Sequence, residues 1–377
     1  MTEIRAVRTH RMQLPLRFPF VTALRRTEQV ETLLVEVVDT DGRRGWGEAA
    51  QVWQVTGESV VGAQACVVEM LAPVLIGQPL ANWPMVTDRL ARVVARNAGA
   101  KSAVETALLD LVCRAAGGSL ADLLSQPART ISGATAAAGP PGSGLVVTTD
   151  VTVSATDLAA TVQAARQRVA DGFTTLKLKV GTDALTDVER VVAVRREVGE
   201  DVRLRLDANQ GWTRDEAVRA IRALDDAQVD VEFVEQPVAG EDVEGLAWVR
   251  RRVDTPVVAD EAVFTMTDLR RVVRLAAADG INVKLAKAGG PLAAVRQVHF
   301  AQQAGLMTMV GSMMESNIGV AAALHVAVAG EASLVADLDA GWWLRQPAPM
   351  TGLIYGNDAT VRIGPGPGLG VVPLLGG

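Results

Sequence analysis

Thr-Thr-Leu-Lys-Leu-Lys-Val, residues 174–180, decides the fold and points at the chemistry. Its second half alternates apolar and basic residues, the period of a strand. That period puts Lys177 and Lys179 on one face. The composition gives the placement meaning. Of 37 Lys and Arg in 377 residues, only five are lysine: Lys101, Lys177, Lys179, Lys284 and Lys287. Four of the five lie in this run and in Val-Lys-Leu-Ala-Lys-Ala-Gly-Gly, residues 283–290. Arginine keeps its proton near neutral pH, whereas a buried lysine can lose it and act as a base.

Outward from this run, similar short apolar segments alternate with helical ones. They are Thr149–Ser154, Val202–Asn209, Val231–Pro237, Pro256–Glu261, Ile281–Lys287, Leu306–Met313 and Leu334–Asp339, which with the first make eight. Marker residues Lys179, Asp207, Glu235, Asp260, Lys284, Gly311 and Asp337 follow at steps of 28, 28, 25, 24, 27 and 26. A steady repeat of that size predicts parallel βα units, and eight of them close a barrel over residues 145–345. Residues 1–130 differ: strand alternation over 4–40, a Thr40-Asp41-Gly42 turn, and helical periods over 59–75 and 101–125. This is an α+β unit. A Gly-, Pro- and Ala-rich stretch at 132–144 reads as a linker or surface loop. The tail over 346–377 is Gly- and Pro-rich with a short strand pattern, and is expected to pack back on the first unit.

The bulk composition narrows the class. Apolar residues are 49%, charged residues 21%, and the net charge is −6. No long basic run is present, which argues against nucleic acid and anionic membranes as partners. Cys66 and Cys113 read as buried reduced thiols, which suits a cytoplasmic location. The first residues lack an apolar signal core, and no run is long enough to span a bilayer. Gly319–Gly330 reads as a buried helix.

In such barrels the catalytic groups stand at the C-terminal ends of strands. Asp207, Glu235 and Asp260 end three consecutive strands. Three carboxylates at one mouth repel each other unless a hard dication such as Mg²⁺ lies among them. Lys284 follows on the next strand, across the barrel from Lys179. A cation flanked by two amines suits removal of a proton α to a carboxylate. One lysine takes the proton, and the other returns one to the opposite face. Taken singly, an Asp or Glu at a strand end is most often a helix cap. The joint order Lys-x-Lys, Asp, Glu, Asp, Lys on five successive strands is what chance seldom gives.

The motifs Thr-Leu-Lys-Leu-Lys-Val-Gly (175–181), Leu-Asp-Ala-Asn-Gln-Gly-Trp (206–212), Val-Glu-Gln-Pro (234–237), Ala-Asp-Glu (259–261), Asn-Val-Lys-Leu (282–285) and Gly-Ser-Met-Met-Glu-Ser (311–316) resemble the enolase superfamily, in its muconate-lactonizing-enzyme-like subgroup. The resemblance implies a TIM-like (β/α)7β barrel with an N-terminal α+β capping domain completed by the C-terminal tail. It implies Mg²⁺ on Asp207, Glu235 and Asp260, and Lys179 and Lys284 as the two bases. Lys177 matches a helper cation that lowers the Lys179 pKa. Ala-Asp-Leu-Asp-Ala (336–340) resembles the Asp-x-Asp of dipeptide epimerases, so Asp337 and Asp339 are expected to hold a dipeptide ammonium. Pro-Phe-Val-Thr-Ala-Leu-Arg-Arg (19–26) resembles the mobile loop of alanyl-glutamate epimerases, with Arg25 facing an acidic side chain. Gly341-Trp342-Trp343 departs from the usual sequence after the Asp pair.

Around this centre, Asn209, Glu261 and Lys287 are expected as supports, with Glu261 pointing away from Asp260 in a continuing strand. Glu315 and Ser316 either line the pocket or form the loop after the seventh strand. The expected activity is Mg²⁺-dependent epimerisation of a dipeptide, L-Ala-D/L-Glu or a relative, by a homo-oligomer. Three competing readings remain. The metal site fits an N-succinylamino acid racemase, o-succinylbenzoate synthase or cycloisomerase, although two acids at 337 and 339 repel an N-succinyl group. A Schiff-base lysine barrel needs no metal. A non-catalytic binding protein needs no base.

Overall fold

A computed structural model describes residues 2–22, 26–126, 144–346 and 349–374. Arg25 and residues 132–143 of the Gly-rich stretch lie outside these.

Strands β1 (Ile4–Val21), β2 (Arg26–Asp39) and β3 (Arg44–Ala50) form an antiparallel meander. The turn at Thr40-Asp41-Gly42 has Gly42 at φ +84°, where a side chain would be strained. The helix Ala98–Ala116 lies directly on β3. A Cβ on Gly45 or Gly47 would stand 2.1 or 2.0 Å from the Ala107 or Ala103 carbonyl oxygen, so only glycine allows this approach.

Strand β4 (Leu145–Thr148) pairs with tail strand Thr360–Ile363, which pairs in turn with Leu353–Tyr355. Next come β5 (Val151–Val153), β6 (Thr175–Lys179), β7 (Arg203–Asp207), β8 (Val231–Glu235), β9 (Val257–Ala259), β10 (Gly280–Lys284) and β11 (Met307–Gly311). They form one parallel sheet in chain order. The eighth segment is shorter than expected and closes the sheet through bridges. Asp337 N–H donates to Val310 O (3.0 Å) on one side, and Asp150 N–H donates to Ala336 O (2.9 Å) on the other. Its ladder stops because a helical turn begins at Ala340. The segment expected as a strand to Lys287 also ends early, at Lys284, and turns into the helix Leu285–Ala288. The barrel is thus a (β/α)7β closure with an α+β unit over its mouth.

Strand alternation also fills the barrel floor. Arg205 points inward two residues before Asp207 and is fully buried. Its guanidinium donates to Asp150 Oδ2 (2.8 Å), Glu232 Oε2 (2.5 Å) and Val335 O (2.9 Å).

The two units are locked by buried acids at helix N-termini, where free N–H groups and the helix dipole favour a carboxylate. Glu48 of β3 accepts from Ser316 N (2.7 Å) and Gly319 N (2.9 Å) of the helix Asn317–Ala329. Glu105 accepts from Leu292 N (2.9 Å) of the helix Pro291–Gln303. The tail adds Leu369 N to Asp110 Oδ1 (2.7 Å) and Arg114 Nη2 to Val371 O (3.1 Å). Cys66 and Cys113 are buried and unpaired. Among the described residues no helix is long and apolar enough to cross a membrane.

The same interface holds His325, whose Nδ1 accepts from Ala121 N (3.0 Å). Burial pushes this imidazole down to about 4. Its unfolded value is about 6.5, so the unfolded chain binds the extra proton between those limits. The His325 contribution is complete above pH 6.5 and is lost as pH falls toward 4. The loss is about 3 kcal/mol. We expect His325→Gln to flatten the pH dependence in that window. Urea unfolding of both proteins at pH 7 and pH 4.5 checks it, and equal slopes would contradict it.

Candidate active site

The strand ends open on one cavity beneath the α+β unit, lined by Lys177, Lys179, Asp260, Lys284, Asp337 and Asp339. Asn209 and Glu261 line it too, while Asp207 and Glu235 are fully buried. Lys179, Asp207 and Glu235 are register partners across β6, β7 and β8. Lys179 Nζ reaches Asp207 Oδ2 at 2.5 Å. Lys177 Nζ sits at the centre, 2.5 Å from Asp337 Oδ2, 3.7 Å from Glu235 Oε2 and 3.8 Å from Asp207 Oδ2. On the far side Lys284 Nζ reaches Asp260 Oδ2 at 2.6 Å and Glu235 Oε1 at 3.9 Å. β6 and β10 are four strands apart in a barrel of eight, so the two amines face each other across the acids.

Burial pushes a carboxyl up, and nearby amines decide which stay low. Burial pushes Glu235 up to about 7, with Lys177 opposing. It pushes Glu261 up to about 8, with Asp260 and Asp207 adding to it. Burial pushes Asp337 up, but Lys177, Lys284 and Lys179 together bring it down to about 2. Asp260 lies far below its usual range, since Lys284 and Lys287 overcome burial. Lys177 itself is held well above its ordinary value: burial opposes this, and Asp337, Glu235 and Asp207 override it. The acids therefore keep Lys177 charged.

Several expectations change. Glu261 does not point away from the mouth. β9 ends at Ala259, strand alternation ends with it, and both Asp260 and Glu261 line the cavity. Among the described residues Glu261 pairs with Asn209 Nδ2 (3.4 Å) and with no lysine. Lys287 leaves the strand face on its helical turn and folds back onto the carboxylate and carbonyl of Asp260 and onto Asn282 O (3.1 Å). Ser316 is turned away from the cavity. It caps its helix and donates to Glu48 Oε2 (2.5 Å). Glu315 is likewise taken up by the loop, accepting from Met313 N (2.7 Å), and burial beside Glu48 pushes it up to about 8.

As they stand, no three acid, His or Cys side chains among the described residues close around a single point. The lysines hold the oxygens instead. The acids nevertheless fit a hard dication. They are all-oxygen donors, and Glu235 Oε2 is buried with no hydrogen-bond donor.

Supports missed in the sequence include Asn282 and Gln236. Asn282 Nδ2 bridges Glu235 Oε1 (2.8 Å) and Asp337 Oδ2 (3.1 Å). It lies two residues before Lys284, so alternation places it on the same face. Gln236 Oε1 accepts from Asp260 N (2.9 Å) and Ala262 N (3.0 Å), fixing the loop that carries the third acid. Its backbone, at φ +37°, carries no such signal.

Comparison with known proteins agrees with this geometry. Residues 4–125 match the mandelate racemase / muconate lactonizing enzyme N-terminal domain, and residues 160–374 the enolase C-terminal domain-like family. An L-Ala-D/L-Glu epimerase from Bacillus subtilis is 36% identical over 367 residues, 97% of this chain and 96% of that one. Its substrate-liganded structure superposes with a TM-score of 0.90, covering 98% of this chain and 99% of that one. A dipeptide epimerase from Enterococcus faecalis, solved with Mg and L-Leu-L-Tyr, is 34% identical with a TM-score of 0.87, covering 98% and 99%. An N-succinyl-L-Arg/Lys racemase from Bacillus cereus is 30% identical over 370 residues, 98% of this chain and 95% of that one. With both of its units matched and this order of lysines and acids around one mouth, the chain belongs to the mandelate racemase / muconate lactonizing enzyme family of the enolase superfamily.

Proposed function

We propose that the protein epimerises a dipeptide at the carbon next to its carboxylate, with Mg²⁺ as cofactor. The observation that carries this is the pair of opposed amines, Lys179 on β6 and Lys284 on β10, with an acidic pair, Asp337 and Asp339, beside them. An α-proton next to a carboxylate is too weakly acidic for a free lysine. Asp207, Glu235 and Asp260 are the residues that would hold Mg²⁺, which supplies positive charge beside the substrate carboxylate as negative charge develops there. Lys179 removes the proton from one face, and Lys284 delivers one to the other. For the opposite enantiomer the roles exchange. Lys177 adds fixed positive charge, held by Asp337. The α+β unit covers the mouth and keeps water from the reacting carbon. The same reading divides the chain into a capping domain (1–130), a barrel (145–345) and a tail (346–377), and the tail's bonds to Asp110 and Arg114 support that division. It also takes the enzyme to be a cytoplasmic homo-oligomer.

The resemblance pairs an L-Ala-D/L-Glu substrate with Arg25, which lies outside the described residues. The described wall favours a second choice, an apolar side chain, because Val52, Met313, Ala50 and Ala286 form an apolar cluster with Val55 at the cavity. Rates on free dipeptides and on N-succinyl amino acids, with Mg²⁺ present, test the substrate class. We expect dipeptides to give the larger kcat/KM by about 100-fold or more, the effect of one or two charge-assisted contacts. A larger value on an N-succinyl amino acid would overturn the reading.

A further inference from the structure

A second cavity lies away from the barrel mouth, where three parts of the chain meet. Its walls include Arg17 and Phe18 of β1, Arg168 and Asp171 at the end of the helix Leu158–Ala170, Trp342, and Tyr355 of the tail. It shares no lining residue with the cavity at the mouth. A bulge brings β1 there. Pro15 pairs with Gln29 and Phe20 with Thr27, so β1 carries extra residues between these pairs. The bulge is pinned to the chain after the eighth segment: Arg17 Nε donates to Leu344 O (2.9 Å), and Arg345 N donates to Pro15 O (2.9 Å).

This cavity holds more positive than negative charge. Arg168 is only 6% exposed, and its one acid is Asp171, whose Oδ2 accepts from Nη1 (2.8 Å). Its Nε is buried with no acceptor among the described residues. Arg17 uses its Nε on the Leu344 carbonyl, and no carboxylate among the described residues forms an ion pair with it. Burial pushes the Arg17 guanidinium down; Asp171 opposes this and Arg168 adds to it. Both guanidiniums stand over one ring, that of Trp342, at 5.1 Å for Arg17 and 4.4 Å for Arg168. The ring is fixed edge-on by Phe173 at 5.6 Å and Trp343 at 5.7 Å. Trp343 is held in turn, its Nε1 donating to Asp339 Oδ2 (2.9 Å). Tyr355 Oη donates to Leu338 O (2.7 Å), which fixes the tail's side of the wall. Two arginines are thus held close together with one acid between them and donors left over.

We propose that this cavity is a binding site for a small organic carboxylate, separate from the substrate site. One negative charge balances the excess of two arginines over one aspartate. A dianion exceeds that balance and is repelled by Asp171. A carboxylate also matches the forked N–H groups of a guanidinium. Trp342 and the half-exposed Phe18 give the ligand's body an apolar surface. Arg17 belongs to the α+β unit and Arg168 to the barrel, so a carboxylate between them ties the two units together. Such a ligand, bound by the folded protein alone, raises its stability by mass action. The site does not depend on the activity proposed for the mouth.

Benzoate is the probe, with acetate and inorganic phosphate for comparison. Calorimetric titrations and thermal melts are run on the parent, Arg17→Met and Arg17→Lys. The mouth is the same in all three, so a difference between them belongs to this cavity. We expect the parent to bind benzoate with a Kd of about 1 mM or tighter. Acetate binds about tenfold more weakly, because it brings almost no apolar body. Arg17→Met weakens benzoate binding about tenfold or more, and benzoate raises its Tm less than that of the parent. Arg17→Lys keeps the charge, loses the fork and falls between the two. Melts without ligand show which variants are folded. If Arg17→Met is not, the comparison of Arg17→Lys with the parent decides. Equal benzoate affinity in the parent and the folded variants would overturn the proposal, as would no binding by the parent at about 10 mM benzoate. Phosphate bound more tightly than benzoate would overturn the assignment to a carboxylate.

Discussion

We expect Lys179→Ala and Lys284→Ala each to lose epimerisation by about 10³-fold or more, within the range for removing a positioned acid or base. The more telling outcome is what each variant keeps. Lys179 and Lys284 stand on opposite walls, on strands four apart, with Asp207, Glu235 and Asp260 between them. A substrate carbon among those groups presents one face to each amine. Removing one amine leaves the other able to take the proton and return a solvent deuteron on its own side. Lys179→Ala therefore exchanges the α-proton of one dipeptide epimer without inverting it, and Lys284→Ala exchanges that of the other. Proton NMR in deuterated water reads both outcomes. Exchange of the same epimer by both variants would mean that the amines share a face.

The second large effect is on stability. Arg205→Met is expected to cost about 3–5 kcal/mol, the range for breaking a buried ion pair. Arg205 is fully buried, and so is its partner Asp150. Methionine takes up much of the space but leaves the Asp150 carboxylate without its cation. Burial already pushes that acid well above its ordinary value, and Arg205 is one of the cations that oppose the shift. The double variant Arg205→Met/Asp150→Asn removes the stranded charge and recovers part of the loss. Denaturant unfolding of the two variants and the parent checks the order. Equal stability of parent and Arg205→Met would contradict it.

The sequence carried the barrel because its strand ends repeat at a near-constant step and each strand is short and apolar. It carried the lysines and acids because a strand sorts residues by parity. Lys177 with Lys179 and Arg205 with Asp207 follow that rule. Asn282 with Lys284 obeys it equally. Parity fails where the strand stops. Asp260 and Glu261 share the mouth because β9 ends one residue before them. Lys287 turns back because a helix begins right after Lys284. Other features depend on distant chain. Ser316 is consumed by Glu48, 268 residues away, and no local pattern announces that pairing. The Trp343 bond to Asp339 depends on a single helical turn after the last strand, too short for any periodicity to reveal.

The central claim is that this mouth removes and replaces a proton next to the carboxylate of a dipeptide. The most direct measurement incubates the Mg²⁺-loaded protein with a broad set of dipeptides in deuterated water and follows the α-proton of the C-terminal residue. The account predicts that deuterium enters that position while the residue inverts, in at least one dipeptide of the set. No deuterium at the α-carbon of any dipeptide would contradict it.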